Sequence, residues 1–319
     1  PLAVRLALIQ NTLKPRFQSP RIVVFAADHG LAVDDLGAGE RHSTAATVLA
    51  LLSERLPLAV FARLQGLELT VVDSGVAEAV IPHVRLLARK IAHGTRNSRA
   101  GAAMSTEQAH AAMRAGMEIG DSLGGSAVAC AGIGIGSAQS AALLLSCMSR
   151  APLREFIDSG PGMAEGLLEH LLRVLEGARG RHGHLEDPIE LLAAVGGFEV
   201  AMMAGLMLAA ASRRRLIIPD GMAACAALMI ASAIAPAVPD YCVHARSNRL
   251  PGLDRALALF GAQALIEVGL DSIDGTGSTL AWPLVRCAAA LLTDVADQCA
   301  QSPSRTAPAS PPLVPVFQR

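Results

Sequence analysis

Aromatic side chains are nearly missing from this chain, which has one Trp, one Tyr and seven Phe in 319 residues. No aromatic belt of the kind that anchors membrane spans can be built from so few. A surplus of charge is missing too: 27 basic against 28 acidic residues leave a formal net charge of −1. Without a basic face there is no electrostatic reason to expect nucleic acid as a partner, and a small molecule is the expected ligand. Cysteine pairs at C-x-x-C spacing are absent. Cys130, Cys147, Cys225, Cys242, Cys287 and Cys299 lie far apart, most of them inside apolar runs, where free thiols behave as small buried hydrophobes. That excludes a disulfide framework or a zinc site and fits a reducing cytoplasm. No signal-peptide pattern opens the chain, which begins at Pro1. Gly-x-Ser-x-Gly and Walker lysine motifs are also absent.

Long unbroken apolar runs are few. Val200–Ser212 and Gly221–Val238 flank Arg213-Arg214-Arg215 and have the outline of a membrane hairpin with a positive loop. The first is too short to span and Pro236 interrupts the second, so both are read as buried alanine-rich helices and no membrane contact is expected. The three arginines are read as a solvated helix end whose charge complements the last carbonyls.

What the chain does have is apolar residues, 52% of the total, mostly Ala and Leu. They recur in four short runs that end in a small acidic or glycine turn and then enter a helical stretch. The runs are Arg21–Ala27 before Asp28-His29-Gly30, Leu69–Val72 before Asp73-Ser74-Gly75, Ala127–Ala131 before Gly132-Ile133-Gly134-Ile135-Gly136, and Leu216–Pro219 before Asp220-Gly221. Continuous apolar strands alternating with helices predict a parallel sheet covered on both faces, with ligands at the carboxyl ends of the strands. Helices are expected over 43–64, broken at Pro57, from Ser105 with Gln108 as capping-box partner to about Leu123, and over 137–148 and 163–178. Further helices are expected from Asp187-Pro188 and over 251–270 and 280–299. His182 and His184 fall in a polar loop over 180–188 without metal-ligand company. The tail from Gln301, rich in Pro, Ser and Ala, reads as a flexible extension.

Four turns are candidates for chemistry. Alternate glycines at 132, 134 and 136 allow close backbone approach before a helix N-terminus, which suits a phosphate; the turn can equally be a tight connection. Ser159-Gly160-Pro161-Gly162 is a second turn of this kind. Asp274, in Ser272-Ile273-Asp274-Gly275-Thr276-Gly277, is a base or simply a turn residue. His29 is a base or a histidine bonded to nearby backbone.

The same turns carry a family likeness. Ala26-Ala27-Asp28-His29-Gly30, Val72-Asp73-Ser74-Gly75-Val76-Ala77, Lys90-Ile91-Ala92-His93-Gly94-Thr95-Arg96-Asn97, Ala103-Met104-Ser105, Val195-Gly196-Gly197-Phe198-Glu199, Pro219-Asp220-Gly221 and Asp274-Gly275-Thr276-Gly277 occur in this order. The chain resembles the nicotinate-nucleotide–dimethylbenzimidazole phosphoribosyltransferases from about residue 22 to 295. The resemblance implies a Rossmann-like parallel α/β domain (20–270), a small helical part made by the terminal segments 1–19 and 271–300, and a homodimer. It implies a metal-independent, cofactor-free transfer of phosphoribosyl from nicotinate mononucleotide to a lower-ligand base, 5,6-dimethylbenzimidazole or another aromatic or phenol acceptor, in cobalamin nucleotide-loop assembly. Asp274 stands at the family's glutamate base.

Substrate-binding positions carried over by the resemblance are Asp28, His29, Gly132, Gly134, Gly136, Gly160, Gly162, Gly197 and Asp220. Others fall on residues that differ from the family pattern: Gly39 for a serine, Thr47 for a glutamine, His170 for a lysine, Asp271 for an arginine, and Gly132 for a glutamate. These differences leave a second reading open, a catalytically impaired paralogue acting as partner subunit of a heterodimer or as a ligand-binding protein.

Overall fold

The computed structural model describes residues 1–36, 42–157, 164–248, 251–270 and 272–295. Gly39, Gly160, Gly162, Asp271 and the tail from Gln301 lie outside the described residues. The four apolar runs are strands β1 (Arg21–Ala27), β2 (Glu68–Gly75), β4 (Ala127–Ile133) and β5 (Leu216–Pro219), and a fifth, β3 (Leu86–Ala88), was not anticipated. All five are parallel, in the order β3-β2-β1-β4-β5. β3 escaped notice because it is three residues long and flanked by Arg85, Arg89 and Lys90. Short, charged strands of this kind are how sheets protect an open edge.

Alternation along β1 divides the core in two. Ile22, Val24 and Ala26 enter one buried cluster together with Leu6, Val48, Leu58 and Trp282. Val23, Phe25 and Ala27 enter the other with Ala112, Leu144, Met203 and Leu228. Helices α1 (Leu2–Gln10), α2 (Thr44–Leu52), α3 (Pro57–Gln65) and α11 (Thr276–Ala290) therefore cover one face. The other is covered by α4 (Thr106–Ser122), α5 (Ser137–Ser149), α6 (Glu165–His182), α7 (Pro188–Val195), α8 (Phe198–Ser212), α9 (Met222–Ile234) and α10 (Pro251–Ala258). The chain leaves β1 toward β2 over the first face and leaves β4 toward β5 over the second. The order thus reverses between β1 and β4, where a doubly wound sheet opens its ligand crevice.

Local signals set most helix ends. Ser105 and Gln108 form the capping box of α4. Asp187 caps α7, with Pro188 in its first turn. α6 runs on to His182, so this histidine is no loop residue: it is buried, with Nε2 2.9 Å from the Ser98 carbonyl. α10 ends at Ala258 because Gly261, at φ 57°, turns the chain away. α11 begins at Thr276, earlier than expected, for reasons that lie in the site.

The apolar runs of the apparent hairpin are α8 and α9, both buried. The stretch Thr44–Gln65 is apolar and long enough by composition to cross a membrane. It is divided, however, into two helices of nine residues each, about 14 Å long where a bilayer core needs about 30 Å. The arginine triplet is a correction: these side chains serve helices other than their own. Arg215 donates to the Gly120 carbonyl in the last turn of α4 at 2.6 Å, and Arg214 to the Leu8 carbonyl of α1 at 2.7 Å. Arg213 pairs with Asp121 at 2.8 Å.

α4 and α8 cross at unusually short range. A Cβ on Gly116 would lie 1.9 Å from the Met202 carbonyl oxygen, and one on Gly205 would lie 2.0 Å from that of Met113. Alanine normally favours a helix over glycine by about 0.5–1 kcal/mol, but here the neighbour is backbone and cannot yield. Gly205→Ala is expected to destabilise by a net of about 1–3 kcal/mol, read from urea denaturation; a rise in stability would contradict this packing.

Candidate active site

At the switch point the turns after β1, β2 and β4 meet on Asp28. Its Oδ2 accepts the Ala77 amide at 2.7 Å and its Oδ1 accepts the Ile135 amide at 3.2 Å. The Thr44 hydroxyl also donates to Oδ1. Asp28 is therefore a tie between three loops. Thr47, which stands at a family glutamine by the resemblance, sends its hydroxyl back to the Ser43 carbonyl at 3.2 Å. Thr44, one turn earlier on α2, reaches the crevice instead.

His29 is buried, and its backbone amide donates to the Ile135 carbonyl at 3.0 Å. Its Nε2 lies 2.8 Å from Oε1 of Glu199, in the first turn of α8, and the Ser137 hydroxyl donates to the same oxygen at 2.8 Å. Glu199 is 0% exposed, and its Oε2 has no hydrogen-bond partner among the described residues. Burial pushes its proton affinity up, but the His29 charge and the two hydrogen bonds outweigh that and hold the carboxyl below its usual range. The sequence reading missed Glu199. The available signal was a lone acidic residue in the uncharged stretch 198–212, since a buried carboxylate must be paired.

The glycine turn lies directly against β1. Gly134 has φ 152°, and a Cβ there would sit 1.6 Å from the Ala27 carbonyl oxygen. Gly136 is the N-cap of α5 and packs its backbone on His29. The N-terminus of α5 thus lies at the crevice, where a helix start can offer N–H groups to an anion.

Gly132 belongs to β4 itself. A Cβ there would meet Ala223 at 2.7 Å and the Met203 methyl at 3.0 Å, with Cγ of Glu199 at 3.3 Å. A glutamate side chain has no room at 132 in this packing, and the carboxylate nearest to that position belongs to Glu199. Gly197, the N-cap of α8, is required by the same pair: its Cβ would fall 2.3 Å from both Glu199 Oε2 and His29 Cε1.

The second group of carboxylates stands beyond Gly132 at the end of β5. Asp220 is fully buried and accepts the Ser278 amide at 2.7 Å and the Ser247 hydroxyl at 3.0 Å. Burial pushes its carboxyl up to about 6 against these hydrogen bonds. Asp274, half-buried beside it, is raised well above the usual range by desolvation and by the Asp220 charge, against the lowering influence of the nearby Met222 amide. His170, across the crevice on α6, bonds through Nε2 to the Asp34 carbonyl at 2.8 Å and is tied to the β1 turn. Lys90 is held by Asp73 at 3.2 Å and by the Glu78 carbonyl at 3.2 Å.

Removing one member of a buried pair strands the other, at a cost of about 3–5 kcal/mol; Glu199→Ala is expected to lose that much at pH 7. Because the Glu199 carboxyl is depressed in the fold, its contribution is complete above about pH 4.5 and is lost as the pH falls further. The stability gap between wild type and Glu199→Ala should therefore narrow below that pH in denaturant titrations; a constant gap would contradict the pairing.

Comparison with known proteins agrees with this geometry. A family model described as phosphoribosyltransferase matches residues 1–301. The chain is 40% identical over 298 residues to the nicotinate-nucleotide–dimethylbenzimidazole phosphoribosyltransferase of Aromatoleum aromaticum, covering 92% of this chain and 87% of the relative. It is 39% identical to that of Cupriavidus taiwanensis, covering 92% and 86%. The crystal structure of the Thermus thermophilus enzyme of the same name superposes with a TM-score of 0.83 at 30% identity, covering 91% of this chain and 88% of that one. With its doubly wound sheet, its glycine turn at the switch point and its carboxylate pair at the end of β5, the chain belongs to the nicotinate-nucleotide–dimethylbenzimidazole phosphoribosyltransferase family.

Proposed function

We propose that this protein transfers the phosphoribosyl group of nicotinate mononucleotide to a nitrogen of 5,6-dimethylbenzimidazole or a related base, giving α-ribazole phosphate and nicotinate for the cobalamin nucleotide loop. The observation that carries this reading is Asp274: a carboxylate at the family's base position, at the carboxyl edge of the sheet, with its proton affinity raised by desolvation and by Asp220. An aspartate of ordinary acidity is a weak proton acceptor, and raising it brings it toward the operating pH.

In this reading the phosphate sits at the N-terminus of α5, where the glycine turn lets it approach the first turn of the helix closely. The acceptor nitrogen attacks C1′ of the ribose from the face opposite nicotinate. The new C1′–N bond forms as the old one breaks, and nicotinate leaves with the bonding pair. The proton on the acceptor ring passes to Asp274 and then to solvent. Inversion at C1′ gives the α-glycosidic product. Asp28, Glu199 and His29 hold the loops around the crevice in register.

A homodimer is part of the same reading. Val4 and Leu8 are exposed one helical turn apart on α1, and Leu284 on α11 and Leu291 just past its C-terminal end are exposed as well. These are exposed apolar residues of the kind that subunit contacts cover. The free thiols of Cys130, Cys147, Cys225 and Cys242, all buried, support a reducing compartment such as the cytoplasm.

Purified protein given nicotinate mononucleotide and dimethylbenzimidazole is expected to release nicotinate, and Asp274→Asn is expected to lower kcat by about 100- to 10,000-fold. No release with any benzimidazole or phenol acceptor, or full activity in Asp274→Asn, would overturn the reading. Sedimentation should give a dimer that Leu8→Glu combined with Leu284→Glu converts to monomer; a monomeric wild type would exclude it.

A further inference from the structure

The Asp220-Gly221 and Asp274-Gly275 turns are built alike. In each, the aspartate precedes a glycine at positive φ, 99° at Gly221 and 97° at Gly275, and each glycine is the N-cap of a helix, α9 and α11. A glycine cap has no side chain to offer the first amides. Each helix start instead has the carboxylate of the other turn beside it. Ser278, in the first turn of α11, donates its amide to Asp220 at 2.7 Å. The Asp274 carboxylate in turn stands at the start of α9, against its N-cap Gly221, where the Met222 amide favours its charged form. Ser247 joins the exchange, donating its hydroxyl to Asp220 at 3.0 Å while accepting the Gly277 amide at 2.8 Å. The Asp274 carboxylate lies over the bare Cα of Gly221, where a Cβ would come within 2.0 Å of Oδ2.

We propose that Asp220 is the positioning residue of Asp274: the two turns exchange carboxylates across the starts of α9 and α11, so that the proton acceptor is held by a helix other than its own. This rests on reading Asp274 as that acceptor. An aspartate reaches one methylene less far than a glutamate, so the scaffold must set its place, and a misplacement of about 1 Å can cost on the order of 100-fold in rate. Asp220 also acts through charge, since a neighbouring carboxylate makes a second one harder to ionise. The titratable groups that face the pair are the thiols of Cys130 on β4 and Cys225 on α9. Arg246, which follows Ala245, the bridge partner of Asp220, directs its guanidinium to Asp254 and Glu267.

The test is a carboxyl-¹³C NMR titration of the full chain as wild type, Asp220→Asn and Asp274→Asn. Asparagine at 220 keeps an acceptor for the Ser278 amide and removes the charge. In Asp220→Asn the Asp274 midpoint is expected to fall by about one pH unit or more. The acid limb of kcat for nicotinate release should fall with it, while KM for nicotinate mononucleotide stays within about twofold, because the Asp220 oxygens are buried against Ser247 and Ser278 and not turned to the crevice. Coupling is reciprocal, so the Asp220 midpoint should drop by a similar amount in Asp274→Asn, which reads the same interaction where Asp220→Asn does not fold. Unmoved midpoints in either folded variant would overturn the proposal. Full activity in Asp274→Asn, with the midpoints coupled, would sink the proton-acceptor reading and leave the exchange standing.

Discussion

A carboxylate with no exposure to water sits at the centre of this molecule, and the arrangement of the crevice follows from the need to compensate it. Taking an ion such as Glu199 out of water costs several kcal/mol even after relaxation, and the cost is recovered only through close, well-aimed partners. Those partners come from distant parts of the chain: His29 after β1 and Ser137 at the start of α5. Because each must lie within hydrogen-bond reach of one oxygen, the end of β1, the N-terminus of α5 and the first turn of α8 have fixed relative positions. The glycines around this point are its steric corollary. At 132, 134 and 197 the built Cβ would lie within 3 Å of a neighbouring atom.

The distribution of carboxylates around the sheet edge has a second consequence. Position 132 on β4 carries glycine, and Glu199 approaches the space beside it. Negative charge is therefore kept on the β1–β4 side, paired with an imidazole. On the β5 side two aspartates face each other inside desolvated surroundings, which raises both. One fold thus keeps one buried carboxyl below the usual range and two above it, a separation of environments suited to dividing a structural role from proton transfer.

Much of the scaffold was legible in the chain. Four of the five strands were visible as β-branched runs too apolar for a one-sided sheet, and the ends of α4 and α7 were marked by Ser105, Gln108, Asp187 and Pro188. β3 was not, because three residues carry no periodicity. The site was legible unevenly. Asp28, His29, Asp220 and Asp274 stand out as polar residues at strand ends, but their partners lie on other elements, as far as 170 positions away for His29 and Glu199, and leave no local trace. Thr47 is carried over from the family likeness as the position of a glutamine, and nothing local marks Thr44, one turn earlier, as the residue that donates to Asp28. Arg213 and Arg214 are exposed at the end of α8 as expected, but nothing nearby in sequence reveals the carbonyls of α1 and α4 that Arg214 and Arg215 reach.

The sequence by itself determined the layered α/β architecture, the family and the edge of the sheet where chemistry can occur. Those depend on apolar patterning and short turn signals, which act within a few residues. Only the tertiary structure decided which carboxylate pairs with His29, why Gly132 has no room for a longer side chain, and that Asp220 binds the first turn of the helix that follows Asp274. These outcomes depend on distances between segments far apart in the chain, set by how the two helical layers pack on the sheet, and no local pattern encodes them.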